Sequence, residues 1–313
     1  MFNESPDLPS IGATLGSLFP ELDPVLPIHM LGLGFSSFVV ETASGVVFRI
    51  ARNQDAAARH AKEARLLLHL KAVLPLPIPN PRWSAEPLER FPFGLIGYRK
   101  LSGTPLHPAQ LSPSSHTPIV QALATFLRAL HAVPTQEAHG LQLEGPVQFR
   151  VQLALLRAAV LPALRHALTS QEYHTLVQWW DAFLHDPAMQ HFPPVLQHGD
   201  LWYENLLTDA TKSVVTGVLD FEKSAIGDPA QDFATLNYFG QSFVQQVIER
   251  YQAAGGQLGA GIHYRIQKYW ELRDFEGVQF AIRFNDPKEF ADSIRKLREG
   301  PILMPQSLDP KAG

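Results

Sequence analysis

The first third of the chain carries the apolar pattern of β-strands with one helix among them. Met30–Val40 and Gly45–Ala51 are rich in β-branched and aromatic residues and are predicted to be strands joined by a turn at Ala43–Gly45. Phe93–Leu101 is predicted to be a further strand. Ala57–Ala72 has apolar residues spaced by 4, 3 and 4 positions, which is typical of a helix. This pattern predicts a small β-rich lobe.

From Ser102 onward the apolar positions recur at helical spacing. Short strand-like runs at Pro194–Gln197 and Val214–Leu219 interrupt this helical part. The predicted helices are Pro118–His131, Phe149–Leu168, Gln171–His185, Pro229–Ala254, Tyr264–Ile282 and Asp286–Glu299. The pattern predicts an α+β protein with a β-rich lobe over 1–101 and a mainly helical lobe over 102–313.

The composition favours a globular protein rather than a nucleic-acid-binding or disulfide-linked one. The chain has 313 residues, of which 45% are hydrophobic, with a formal net charge of −4. Nucleic-acid-binding domains usually carry a basic patch, and the absence of cysteine excludes disulfides and thiol nucleophiles. Because neither a signal peptide nor a membrane span is visible, we expect a cytoplasmic protein without membrane or nucleic-acid partners, either a monomer or a homodimer.

Candidate chemistry concentrates between His198 and Asp232, in HGDLWYENLL and LDFEKSAIGDPAQD. Asp200 and Asn205 lie five residues apart, close enough for one tight loop, and Asp220 ends the predicted strand that follows. A carboxylate can accept a hydroxyl proton, and Mg²⁺ takes oxygen ligands such as an amide and a carboxylate. Phosphoryl transfer depends mostly on such positioning and charge neutralisation. The spacing therefore favours this chemistry.

These two segments resemble the signature motifs of the aminoglycoside phosphotransferase family, which has a protein-kinase-like fold and includes macrolide, choline and homoserine kinases. The resemblance covers roughly residues 30 to 245 and implies a two-lobe kinase-like fold. It implies that Asp200 is the catalytic base and that Asn205 and Asp220 bind Mg²⁺. It also implies that His198 and Asp232 hold the catalytic loop.

The expected nucleotide site begins at a glycine-containing turn. Gly32, Gly34, Ser36 and Ser37 lie in GLGFSS, where glycines would let backbone N–H groups approach phosphates. The match to the kinase glycine-rich loop is partial, because Ser37 stands where a third glycine is usual. A plain turn between strands is the alternative.

The kinase lysine that contacts the α- and β-phosphates is replaced by arginine in VVFRIAR. Arg49 is the aligned residue and Arg52 is the nearby alternative. Glu63, on the predicted helix, is the expected ion-pair partner of Arg49. Arg99, Lys100 and Leu101 resemble the hinge whose backbone binds the nucleobase, which would be that of ATP or GTP.

Several other residues admit two interpretations. Glu222 would either ligate a second Mg²⁺ or cap the following turn, and Asp228 is favoured as the cap of the next helix. His131, which ends a predicted helix, is expected to be structural. A group on the late helix would either line the acceptor site or form a solvated face: Tyr269, Trp270, Glu271, Asp274 and Glu276.

The resulting hypothesis is an enzyme that transfers the γ-phosphoryl group of a nucleoside triphosphate to a hydroxyl of a small molecule. An aminoglycoside-like antibiotic is the favoured acceptor, and a macrolide, choline, an amino-alcohol or a sugar are the alternatives. A catalytically silent nucleotide-binding pseudokinase is the rival of another class. Only Arg49, in place of lysine, favours it.

Overall fold

An antiparallel five-stranded sheet forms the first part of the computed structural model, which describes residues 7–33 and 37–304. The strand order is β1-β2-β3-β5-β4. The strands are β1 (Ile28–Leu33), β2 (Ser37–Thr42), β3 (Val46–Ala51), β4 (Pro81–Ala85) and β5 (Leu95–Arg99). The predicted run Met30–Val40 thus contributes to two strands, and residues 34–36 between them lie outside the description.

A helix that the sequence pattern did not predict, α1 (Leu8–Leu18), packs against this sheet. Its first turn is capped by Asp7, whose carboxylate accepts from the Ser10 N–H at 3.3 Å. Ile11 and Leu15 are buried in the core of the sheet, and the ring of Phe19 stacks on that of Phe48. This small core fixes the position of β3.

Helix α2 (Gln54–Leu70) joins this sheet to the rest of the molecule. Its N-terminal cap is Asn53, whose side chain accepts from the Ala56 N–H at 2.9 Å. Leu66 and Leu70, near its C-terminal end, belong to the large hydrophobic core formed by the later helices. The connector predicted after this helix leads into β4, and Pro81 is tolerated there because β4 is an edge strand of the sheet.

The remainder is mainly helical, which confirms the predicted fold class. Its helices are α3 (Pro113–His131), α4 (Thr135–Gly140), α5 (Pro146–Ala167), α6 (Ser170–His185), α7 (Ala230–Thr235), α8 (Gln241–Ala253), α9 (Ile262–Phe284) and α10 (Pro287–Glu299). The single helix predicted over Pro229–Ala254 is wrong. A 3₁₀ turn follows α7, and Gly240 has φ +96°, which no continuous α-helix can accommodate.

Two small sheets hold the segments that carry the motifs. One contains β6 (Thr104–Pro105), β8 (Leu206–Thr208) and β9 (Val215–Val218) in the order β6-β8-β9. The other pairs β7 (Val195–Gln197) with β10 (Ala225–Gly227). The candidate loop at 198–205 therefore lies between β7 and β8. The division into lobes at 101 and 102 stays a prediction.

Among the described residues, one helix, α5, is long and apolar enough to cross a membrane by length and composition alone. One side of it packs into the large core through Leu153, Leu156, Val160 and Leu164. A helix of a globular core passes the same test, so this is weak evidence for a membrane span. The expectation of no membrane partner stays a prediction.

Candidate active site

A sharp turn at Gly199 shapes the candidate loop that follows β7. Gly199 has φ +82°, and a Cβ there would lie 2.5 Å from the carbonyl oxygen of Lys223. Left-handed backbone at this point and the close approach of a second chain segment both favour glycine. The carboxylate of the following residue, Asp200, remains partly exposed.

The carboxylate of Asp232, on α7, anchors the loop from the buried side. It is fully buried and accepts from the backbone N–H of His198 at 2.9 Å and of Gly199 at 2.8 Å. Nε2 of His131 lies 3.1 Å from the same carboxylate. Burial alone would raise the pKa of Asp232, but the hydrogen bonds from His131 and from the Gly199 N–H lower it. These contacts therefore stabilise the ionised form of the Asp232 carboxylate.

The buried imidazole of His198 links the loop to the end of β9. Its Nδ1 accepts from the Asp200 N–H at 3.2 Å, so Nε2 carries the proton and donates to the Leu219 carbonyl at 3.0 Å. Burial lowers the pKa of His198 and favours this neutral form. These contacts fix the position of Asp200 relative to Asp220.

Asp200 faces two basic side chains that sequence reasoning missed. Lys223 Nζ lies 3.1 Å from one carboxylate oxygen and Arg273 Nη1 lies 3.7 Å from the other. Arg273 comes from α9, and its guanidinium also lies over the ring of Tyr238 at 5.2 Å. The only signal in the sequence was the position of Lys223 beside the DFE motif. Nothing in the sequence pairs Arg273 with Asp200.

The two residues predicted to bind metal lie on adjoining segments. The side-chain amide nitrogen of Asn205 donates to the Asp200 backbone carbonyl at 2.9 Å, and the backbone carbonyl of Asn205 accepts from the Leu219 N–H at 2.9 Å. Asp220 follows with φ +63°, an unusual conformation for a non-glycine residue that is enriched at functional sites. Carboxylate oxygens of Glu63, Asp220 and Glu222 lie within 4.8 Å of one another.

Arg49 lies among these carboxylates rather than in solvent. Its guanidinium pairs with Glu63 on α2, as the sequence suggested, and with Glu222 at 2.7 Å. Glu63 also accepts from the Phe221 N–H at 3.0 Å, so it ties α2 to the DFE segment. Burial raises the pKa of Glu63, while the charge of Arg49 opposes that shift. Arg49 thus forms an ion pair with a helix carboxylate, as the kinase lysine does, and its role at the nucleotide phosphates stays a prediction.

Glu222 is held by two arginines, one at each carboxylate oxygen. In addition to Arg49, Arg59 from α2 donates through Nε to the second oxygen of Glu222. Burial would raise the pKa of Glu222, but the positive charges of Arg49 and Arg59 lower it. Sequence reasoning weighed Glu222 as a metal ligand or a turn cap, and did not anticipate this pairing. Arg59 belongs to no recognised motif, so no sequence signal identified it.

The two ends of the glycine-containing turn are described, and its middle is not. Gly32 lies in β1 and Ser37 begins β2, whereas Gly34 and Ser36 fall outside the described residues. The Ser37 hydroxyl lies 2.8 Å from Nε2 of His60 on α2. Burial and the charge of Arg49 lower the pKa of His60 to about 4, so this imidazole is neutral. The phosphate-loop role stays a prediction.

The predicted hinge runs beside the turn between β2 and β3. The Lys100 N–H donates to the Gly45 carbonyl at 3.0 Å, and its ammonium pairs with Glu41 at 2.7 Å. The Arg99 guanidinium donates to the Ser44 carbonyl. Because the Lys100 N–H is already bonded, a nucleobase would need another backbone atom of 99–101. Leu101, the last residue of this segment, lies beside Gly217 of β9.

The late helix α9 divides the residues predicted to line the acceptor site. Glu271 is buried and accepts from the Trp179 indole at 2.6 Å. Tyr269 is buried as well, and it lines the same small cavity as Arg273 and Gly199. Trp270 contacts Tyr238 edge to face at 5.0 Å. Asp274 faces the C-terminal end of α10, since a Cβ at Gly300 would lie 3.5 Å from its carboxylate. Burial raises the pKa of Asp274 to about 6, and Glu276 lines the same cavity as Arg273 and Gly199.

Asp228 has a second partner beyond the predicted helix cap. It accepts from the Ala230 N–H at 3.0 Å, as a capping residue does. It also pairs with Arg265 at 2.7 Å, and both side chains are fully buried. The Arg265 guanidinium donates further to the carbonyl of Leu258 at 2.6 Å. This ion pair joins the segment after β10 to α9.

Comparison with known proteins identifies the family. The model of the phosphotransferase enzyme family, APH, matches residues 28–267. The chain belongs to this family. It is 28% identical over 82% of its length to the uncharacterised protein YcbJ of Bacillus subtilis, covering 84% of that protein. It is 26% identical over 79% of its length to viomycin phosphotransferase of Streptomyces vinaceus, covering 85% of that protein.

Solved structures of other phosphotransferases share the fold. The complex of APH(2″)-IIIa with GDP and kanamycin superimposes with a TM-score of 0.83 and 23% identity, covering 93% of this chain and 97% of that one. The macrolide 2′-phosphotransferase MphH of Brachybacterium faecium has a TM-score of 0.67 and 22% identity, covering 89% and 92%. These likenesses confirm the kinase-like fold.

Proposed function

We propose that the protein transfers the γ-phosphoryl group of a nucleoside triphosphate to a hydroxyl group of a small molecule. The observation that carries this proposal is the fixed loop in which Asp232 and His198 hold Asp200 beside Asn205 and Asp220. In phosphoryl transfer a carboxylate at this position accepts the proton of the attacking hydroxyl. Family membership supports the proposal.

Asp200 would bind and orient the acceptor hydroxyl and take its proton. Lys223 and Arg273 pair with the Asp200 carboxylate, at 3.1 Å and 3.7 Å. They also supply positive charge next to the point where the phosphoryl group would arrive. Arg49, held by Glu63, would neutralise charge on the nucleotide phosphates.

The residues present fit Mg²⁺, which prefers oxygen ligands and keeps several water and phosphate ligands. Asp220 offers a carboxylate, and Asn205 offers its amide oxygen, since its amide nitrogen is bonded to the Asp200 carbonyl. Bound Mg²⁺ supplies charge neutralisation and orientation of the phosphate oxygens. Glu222 is a third candidate ligand because its carboxylate lies close to that of Asp220.

The acceptor proposed from the motifs is an aminoglycoside-like antibiotic. Relatives named viomycin phosphotransferase and aminoglycoside 3′-phosphotransferase, the latter from Escherichia coli, support a hydroxyl-bearing antibiotic. On α9, Glu276 lines the cavity beside Gly199 and Arg273 and is available to an amine-bearing acceptor. A macrolide, choline, an amino-alcohol or a sugar are the alternatives. ATP and GTP are both candidate phosphate donors.

The proposal is tested by incubating the protein with Mg²⁺, ATP or GTP and a panel of these acceptors, and by detecting the phosphorylated acceptor by mass spectrometry. Asp200→Asn should abolish turnover while leaving ADP affinity unchanged, because Asp200 acts on the acceptor. Asp181→Asn, a change at an exposed ion pair, is the matched control. Strong residual turnover in Asp200→Asn would refute the assignment. ADP binding without any acceptor phosphorylation would favour the pseudokinase.

A further inference from the structure

The Glu222 carboxylate lies between two guanidinium groups from different elements. Arg49 of β3 donates to one of its oxygens and Arg59 of α2 donates to the other. Because each carboxylate oxygen of Glu222 is bound by a different arginine, the two guanidinium groups together form a binding site for an anion. A phosphate group presents the same arrangement of oxygens to guanidinium donors, which bind carboxylate and phosphate alike.

This anion site adjoins the expected path of the nucleotide phosphates. His60, the neighbour of Arg59 on α2, bonds the hydroxyl of Ser37 at the end of the glycine-containing turn. On its other side, Glu222 follows the metal-binding candidate Asp220 by two residues, and their carboxylates lie close together. The site therefore lies between Ser37, at the end of the glycine-containing turn, and the candidate metal ligands.

We propose that Arg59 is a second phosphate-binding side chain of the nucleotide site, and that Glu222 competes with the phosphates for Arg49 and Arg59. This inference rests on the proposed function. Phosphate oxygens displace the Glu222 carboxylate from both arginines, and the carboxylate then turns towards the metal beside Asp220. Glu222 therefore opposes phosphate binding when Mg²⁺ is absent and supports it when Mg²⁺ is present.

The partial exposure of Arg59 agrees with such an exchange. The Arg59 side chain is 32% exposed, compared with 12% for Arg49. Because it lies partly at the surface, its guanidinium can exchange one oxygen partner for another without leaving an empty cavity in the protein. Arg49 keeps its second partner, Glu63, throughout. With Mg²⁺ present, the exchange replaces one anion by another at the same guanidinium pair and gives Glu222 a cation in place of the arginines, so no buried charge is left unpaired.

The test is calorimetric binding of ADP and of adenosine, each measured with EDTA and with Mg²⁺. Arg59→Gln should weaken Mg²⁺-free ADP binding on the order of tenfold, the loss expected from one hydrogen bond between charged groups. Adenosine, which has no phosphate, should bind as before. Arg65→Gln removes an exposed arginine of the same helix and should change neither affinity.

Glu222→Gln should strengthen Mg²⁺-free ADP binding by roughly fivefold, because the competing charge is gone, and should reduce the gain in affinity that Mg²⁺ brings. Arg59→Lys, which keeps the charge without the guanidinium, should give an intermediate loss and serves if Arg59→Gln does not fold. Equal ADP affinity in Arg59→Gln, Arg59→Lys and Arg65→Gln would overturn the inference. A parent protein that binds neither ADP nor adenosine would instead overturn the proposed function.

Discussion

Replacing Asp232 by asparagine should destabilise the protein far more than the loss of one surface charge. The backbone N–H groups of His198 and Gly199 bond to opposite oxygens of the Asp232 carboxylate. Whichever way the asparagine amide turns, its NH₂ group faces one of these N–H donors. A buried donor is then left unsatisfied and the charge that His131 contacts is lost.

The expected cost is about 3–5 kcal/mol, the range found when one partner of a buried charged network is removed. For a chain of this size that corresponds to a thermal midpoint lower by roughly 10 °C. Circular dichroism during heating and urea unfolding both measure the effect. Asp181→Asn, at an exposed pair with Arg157, should cost less than about 1 kcal/mol. Equal shifts in the two variants would refute the reasoning.

Other buried groups give measurable effects on stability and turnover. Because the pKa of His60 is about 4 in the folded protein and near 6.5 when unfolded, the free energy of unfolding should be highest above pH 6.5 and should fall as the pH drops towards 4. Urea unfolding at a series of pH values should show this loss, up to about 3 kcal/mol, and the loss should be smaller in His60→Gln. Gly199→Ala should lose turnover and at least about 1 kcal/mol of stability by denaturation, because its Cβ meets the Lys223 carbonyl. Arg265→Met should cost about 3–5 kcal/mol by urea unfolding, and adding Asp228→Leu should recover much of it.

Sequence reasoning predicted the site best where local spacing sets geometry. Asp200 and Asn205 lie in one tight loop, and their side-chain to backbone hydrogen bond is a consequence of that short separation. The pair Arg49 and Glu63 could also be expected, because a kinase-like fold places a helix carboxylate beside the third strand. Both predictions concerned residues in the same loop or on elements that follow one another directly in the sequence.

Contacts between distant segments were beyond prediction. Arg273 reaches Asp200 from α9, and Arg59 reaches Glu222 from α2, across separations that no periodicity records. The helix break at Gly240 was also missed, because a single glycine within an apolar helical pattern is often tolerated. The short helix α1 was missed although Leu8, Ile11, Leu15 and Leu18 recur at helical spacing, because Gly12 and Gly16 interrupt that pattern.

The apolar residues at the end of α2 belong to the core of the helical region and not to the core of the five-stranded sheet, which affects how segments can be exchanged between relatives. Leu66, Leu67 and Leu70 are buried together with Ile78 in the core of the large helical region, although they precede the sheet's last two strands in the chain. A chimera joined at residue 101 would bring a foreign α2 against a native helical core and mismatch this packing. Recombination should therefore carry those four residues together with the helices that they touch.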